Sequence, residues 1–128
     1  QLDDETIARR LFHRLARVPD APWQGLGQLT GCNPYIRLYK YTKGMSFGRH
    51  IDESNIVSHG ITRVTVLVYL SGCLGGATRF YDETTFEFEP RLGSMLLHVH
   101  GDECLEHEGC TVQAGVKYVL RTDLVYQR

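Results

Sequence analysis

Arg49-His50-Ile51-Asp52 sets an imidazole and a carboxylate two residues apart. In an extended strand, alternate side chains share a face, so His50 and Asp52 are expected to point the same way. Together they can grip one divalent ion from one side. Two neutral imidazoles and one carboxylate form the facial triad that binds Fe(II) and leaves three coordination positions open. The third donor must come from a distant part of the chain. His107, in Cys104-Leu105-Glu106-His107-Glu108-Gly109, is the candidate. His98-Val99-His100 is a rival pair, because His-x-His on one strand face also holds metals. The alternative for each histidine is a hydrogen-bonding role at the edge of the core.

The surrounding elements must bring these donors together. Ile7, Leu11 and Leu15, widened by Ala8 and Phe12, recur at helical spacing and predict one packing helix from Asp3 to Val18. Acidic Asp3, Asp4 and Glu5 suit its start, and Pro19 stops it. Asp20 to Gly31 reads as a connector rich in Pro and Gly. Beyond it the period changes to strands. Pro34 to Tyr41 alternates, Phe47 to Asp52 carries the proposed ligand pair, and Glu53 to Gly60 is a polar loop at the rim. Arg63 to Leu70 is apolar on both faces, as a central strand should be. Further strands are expected at Ala77 to Asp82, Thr85 to Glu89, Gly93 to His100, Cys110 to Val112 and Val116 to Val125. Many short strands with little helix predict a sandwich or a jelly roll.

The 128 residues suit one domain: a supporting helix over 1–20 and a β core over 33–128. The hydrophobic share of 42% and a net charge of -1 argue against disorder and against a broad polyanion-binding face. There is no basic stripe with interleaved aromatics, so no nucleic-acid partner is expected. No apolar run reaches the roughly 20 residues that a membrane helix needs. Cys32, Cys73, Cys104 and Cys110 lack C-x-x-C pairing and are expected to be free thiols. Reduced thiols suit the cytoplasm or nucleus rather than the secretory route. The chain opens at Gln1 without a methionine, which fits a processed or longer N-terminus.

From Asn33 to Tyr126 the chain resembles the prolyl 4-hydroxylase-like iron(II)/2-oxoglutarate dioxygenases. The resemblance lies in five pieces in order: Tyr41-Thr42-Lys43-Gly44; His50-Ile51-Asp52; Thr65 to Leu70 with Gly75-Gly76-Ala77-Thr78-Arg79-Phe80; Gly93-Ser94-Met95-Leu96-Leu97; and His107 to Val112 with Lys117 ten residues past the histidine. Ala77 departs from the pattern, standing where the family carries an acid. The resemblance implies a double-stranded β-helix, a cupin-like jelly roll with the metal near its open end. It implies His50, Asp52 and His107 as Fe(II) ligands. It also implies 2-oxoglutarate and O2 as cosubstrates, ascorbate as reductant, and a peptide or small-molecule substrate. Oligomeric state is left open.

Within that resemblance Lys117 is the expected partner of the far carboxylate of 2-oxoglutarate, because a half-buried cation needs an anion. Arg121 shares its strand face and is the rival anchor. Tyr69 is expected to hydrogen-bond the same carboxylate, and Tyr41 to lie near the cosubstrate. Arg37 and Arg79 are expected to meet substrate or to form surface ion pairs. The competing reading is a cupin-like metalloprotein that works through His98, His100 and His107 without 2-oxoglutarate. A third is a jelly-roll binding module without catalysis.

Overall fold

The computed structural model describes residues 2–128. Strand β1 (Leu2–Asp3) precedes helix α1 (Glu5–Ala16) and a short 3-10 turn at Pro22–Leu26. The β core then runs through β2 (Leu29–Cys32), β3 (Tyr35–Tyr41), β4 (Phe47–His50), β5 (Ile56–Val57), β6 (Gly60–Tyr69), β7 (Leu74–Gly75) and β8 (Thr78–Tyr81). It continues as β9 (Phe86–Phe88), β10 (Met95–Val99), β11 (Glu106–Gly109), β12 (Val112–Ala114) and β13 (Lys117–Tyr126). One sheet has the order β1-β3-β13-β6-β10, with β2 on the far end of β13 and β5 folded onto β6. The other has the order β4-β11-β8-β9, and β12 and β7 pair separately. Antiparallel strands in two facing sheets make this a jelly roll, mainly β, with one helix packed outside. No helix is long and apolar enough to cross a membrane.

The helix is shorter than its periodicity suggests. Asp4 caps it, its carboxylate accepting from the Ile7 N–H at 3.0 Å. Asp3 is drawn into β1 instead, where it pairs with Tyr35. The apolar stripe behaves as expected: Ala8 and Leu15 are buried, with Ile7, Leu11 and Phe12 packed against the same cluster.

Strands β6 and β13 form the central ladder, with Val119 opposite Tyr69 and Leu124 opposite Val64. The two-residue alternation gives this ladder two working faces. Val64, Val66, Val68, Leu120, Leu124 and Tyr126 join the core under the helix. Thr65, Leu67, Tyr69, Lys117, Val119 and Arg121 line a pocket between the sheets. β13 can therefore be apolar on one side and carry charge on the other, while β6 turns the uncharged Thr65, Leu67 and Tyr69 to the pocket.

Five short strands were not apparent in the sequence. β1 takes the start of the expected helix, the expected connector runs into β2, and the expected rim loop contains β5. β7 falls between the strands expected at Arg63 to Leu70 and Ala77 to Asp82, and His107 lies in β11. Each is two to four residues long, too short to show a period. The strand expected at Cys110–Val112 lies further on, at β12.

Candidate active site

β4 supplies His50 and β11 supplies His107. The two strands pair antiparallel with these histidines directly opposite each other. Their rings lie 4.4 Å apart between centroids. Asp52 does not belong to the strand, because β4 ends at His50. The turn after β10 holds it in place: Gly101 N–H donates to the Asp52 carbonyl at 2.8 Å, and Asp52 N–H points at the Cys104 sulfur at 3.4 Å. The expectation of one uninterrupted strand face is thus replaced by a strand end pinned to a turn. The three side chains still converge, with one ligand atom from each of His50, Asp52 and His107 within 4.8 Å of the others.

Hydrogen bonds aim the donor atoms. His50 Nδ1 donates to the Gly48 carbonyl at 2.7 Å, and His107 Nδ1 donates to the Leu105 carbonyl at 2.8 Å. Each carbonyl lies two residues back and leaves the Nε2 lone pair free for a metal. Both Nε2 atoms face Asp52 Oδ1, at 3.5 Å from His50 and 3.8 Å from His107. Asp52 Oδ2 is already engaged: it accepts from Thr65 Oγ1 at 2.6 Å and from His98 Nε2 at 2.7 Å. One carboxylate oxygen is therefore held and the other is presented. This donor set fits Fe(II).

Charge supports the same arrangement. Burial alone would raise the Asp52 carboxyl, but the bonds from His98 and Thr65 and the nearby Arg121 charge outweigh it. They hold the group well below the usual carboxylate range. Burial lowers the His107 imidazole, and neighbouring His98 and His50 act in the same direction, so the neutral, ligating form is favoured.

His98 and His100 part company although they lie on one face. His98 reaches Asp52 and packs against His107. His100 Nε2 instead donates to Thr65 Oγ1 at 2.8 Å and approaches Asp123 at 3.4 Å. Thr65 thus receives from His100 and donates to Asp52. Since His100 serves this chain, the set His98, His100 and His107 does not assemble around one point. A hydrogen-bonding role at the core edge was expected of His98, but its partner Asp52 and the part of Thr65 were not read from the sequence, because nothing local links these positions.

Lys117 and Arg121 also differ. Arg121 Nη2 lies 3.2 Å from Asp123, 3.4 Å from Thr65 and 3.8 Å from Asp52. Its charge is committed to carboxylates of the protein. Lys117 is 5% exposed and forms no ion pair among the described residues. Its Nζ lies 5.1 Å from the Tyr41 ring and 6.0 Å from the Tyr69 ring. The Tyr69 hydroxyl, fully buried, shares a hydrogen bond with Thr78 at 2.8 Å. Arg79 pairs with Glu87 and Glu108 outside this pocket, and Arg37 sits over the Tyr35 ring.

Comparison with known proteins bears on the family and the fold. The sequence profile of the 2OG-Fe(II) oxygenase superfamily matches residues 36–122. A prolyl hydroxylase from Trichoplax adhaerens, in complex with a hypoxia inducible factor oxygen degradation domain peptide fragment, is 25% identical with a TM-score of 0.63. The match covers 79% of this chain and 47% of that one. A Pseudomonas putida prolyl-4-hydroxylase is 22% identical with a TM-score of 0.61, covering 82% of this chain and 57% of that one. An uncharacterised fowlpox virus protein is 31% identical over 94 residues, which are 73% of this chain and 21% of the viral one. The chain thus spans less than two thirds of the length of each of these relatives. The profile match includes His50, Asp52, His107, Lys117 and Arg121, and on it this chain belongs to the 2OG-Fe(II) oxygenase superfamily.

Proposed function

We propose that the chain is an Fe(II)- and 2-oxoglutarate-dependent dioxygenase that hydroxylates a C–H bond. One substrate, one 2-oxoglutarate and one O2 give the alcohol, succinate and CO2. The observation that carries this reading is the pair of histidines tied back through Nδ1, with both Nε2 atoms aimed at the one free oxygen of Asp52. His50, Asp52 and His107 would hold the iron, which when bound supplies the redox chemistry with O2.

The other side chains bind, orient and exclude water. Thr65, His98 and Arg121 keep Asp52 ionised and prevent it from turning. Lys117 anchors the far carboxylate of 2-oxoglutarate, with the rings of Tyr41 and Tyr69 flanking it. Leu67 and Val119, on the same wall of the pocket, keep that contact dry and so strengthen it. A prolyl or other peptide residue is the leading substrate, supported by the similarity to a hydroxylase solved with a peptide. A small molecule is the alternative.

The test measures iron content together with conversion of 2-oxoglutarate to succinate, with Fe(II) and ascorbate present. Proline-containing peptides and small metabolites are screened side by side. His50→Ala, Asp52→Ala and His107→Ala should each lose iron and turnover while circular dichroism stays unchanged. His98→Ala and His100→Ala should retain iron, with affinity reduced by roughly 10–100-fold at most by loss of the outer hydrogen bonds. Turnover that survives in His107→Ala, or iron lost altogether in His98→Ala, would overturn the ligand assignment.

A further inference from the structure

Next to the proposed iron ligands stands a second set of donors. A ring nitrogen of His98, the sulfur of Cys104 and a ring nitrogen of His107 all lie within 4.8 Å of one another. The rings of His98 and His107 meet edge to face, 4.5 Å apart. The His98 side chain is 10% exposed, and its Nδ1 is buried without a partner. Cys104 is a free, buried thiol whose sulfur accepts from the Asp52 N–H at 3.4 Å and donates to the Leu105 carbonyl at 3.5 Å. Asp52, bonded to His98, stands by as a fourth donor.

The two sets differ in chemistry. Two imidazoles and a carboxylate suit Fe(II). Two imidazoles and a thiolate form a softer, tetrahedral set that suits Zn(II). Both need the same atom of His107, because its Nδ1 is tied to Leu105 and only Nε2 is free. One lone pair serves one metal.

We propose that His98, Cys104 and His107 form a sulfur-containing Zn(II) site that overlaps the iron site and excludes Fe(II) when filled. Its consequence for turnover rests on the oxygenase reading, whereas zinc binding stands on the donor geometry alone. Zn(II) displaces the Cys104 proton on ligation, so one thiol proton is released to solvent. Neither metal nor sulfur changes oxidation state.

The experiment separates the two readings by using His50→Ala, in which the iron set is broken and the second set is intact. Metal-free His50→Ala is titrated with Co(II) as a spectroscopic stand-in for Zn(II). A thiolate-to-cobalt charge-transfer band in the near ultraviolet is expected, and Zn(II) should abolish it by displacement. The same band should be missing in His50→Ala/Cys104→Ser. In His50→Ala/His98→Ala, Co(II) affinity should fall by more than the roughly 100-fold that losing an outer partner can cost. Should the serine variant fail to fold, alkylation of Cys104 followed by mass spectrometry serves in its place. Zn(II) should protect Cys104 in the wild-type chain, and Mn(II) should not. Metal bound by His50→Ala without a sulfur band, or equal alkylation with and without Zn(II), overturns the proposal. Loss of 2-oxoglutarate turnover in the wild type would count against the oxygenase reading and leaves the sulfur band unaffected.

Discussion

Lys117 carries its charge into a place that water barely reaches, and no carboxylate of the described chain meets it there. Burial lowers its ammonium below the ordinary lysine value, against a smaller upward pull from Cys73 and Cys110. A charge kept dry without a partner is costly unless a ligand supplies the anion. The far carboxylate of 2-oxoglutarate is such an anion, and Lys117→Ala should weaken its binding by about tenfold to several hundredfold while metal stays bound. The sign of the pH effect follows from the lowered value. As pH rises, the apo amine loses its proton earlier than an ordinary lysine, and the neutral amine no longer pairs with a carboxylate. Affinity for 2-oxoglutarate, measured on the Mn(II)-loaded chain, should therefore fall with rising pH below the usual lysine range of about 10.4. Lys117→Arg should flatten that limb, because a guanidinium keeps its proton. A limb unchanged in Lys117→Arg would assign it to another group. Arg121→Ala should act differently, disturbing Asp52 and metal affinity more than 2-oxoglutarate selectivity, because Asp52 and Asp123 claim its charge.

At the scale of elements, the Gly75-Gly76 pair shapes the wall behind Lys117. Both residues adopt left-handed backbone, at φ 74 and 72. A Cβ on Gly75 would meet the Thr111 carbonyl at 2.6 Å, so β7 can approach the β12 segment only with glycine there. A Cβ on Gly76 would press on Lys117 Cδ at 3.2 Å and Cys73 Sγ at 3.0 Å. Gly75→Ala should cost about 1–3 kcal/mol in backbone strain, read as a lower denaturant midpoint at constant slope. Gly76→Ala should add a second effect, weaker 2-oxoglutarate binding, by displacing the lysine stem. The Gly-Gly in the sequence is thus a steric requirement of the turn, and Gly76 also leaves room for the Lys117 stem.

For the whole molecule, stability and chemistry share one ladder. The face of β6 and β13 away from the pocket packs under α1, and Leu124, Val66 and Ile36 are fully buried there. Leu124→Ala should cost about 2–5 kcal/mol through lost burial and a residual cavity. Chemical denaturation should show this loss, while Mn(II) affinity of the folded fraction stays within about twofold, since Leu124 does not line the pocket. A large drop in metal affinity would mean that the two faces are coupled through the backbone. The four cysteines are free in this fold, so no disulfide adds to its stability.

The features that the sequence alone determined are those carried by short covalent spacing. A run apolar on both faces marked Arg63 to Leu70 as a central strand, and Val116 to Val125 read as the closing strand, because a buried extended backbone must be apolar on each side. His-x-Asp placed two donors near each other, since two residues allow little separation in any extended geometry. The helical stripe from Ile7 to Leu15 likewise declared its buried face. Tertiary structure decided whatever depends on partners far along the chain. It separated His98 from His100 by giving one to Asp52 and the other to Thr65, a choice invisible in His-x-His. It also separated Lys117 from Arg121, which share a strand face, because Asp52 and Asp123 reach only the arginine. And it made His107 part of a strand by laying Glu106–Gly109 between β4 and β8. Four residues carry no period of their own, so only hydrogen bonds from both neighbours define that strand and aim its histidine.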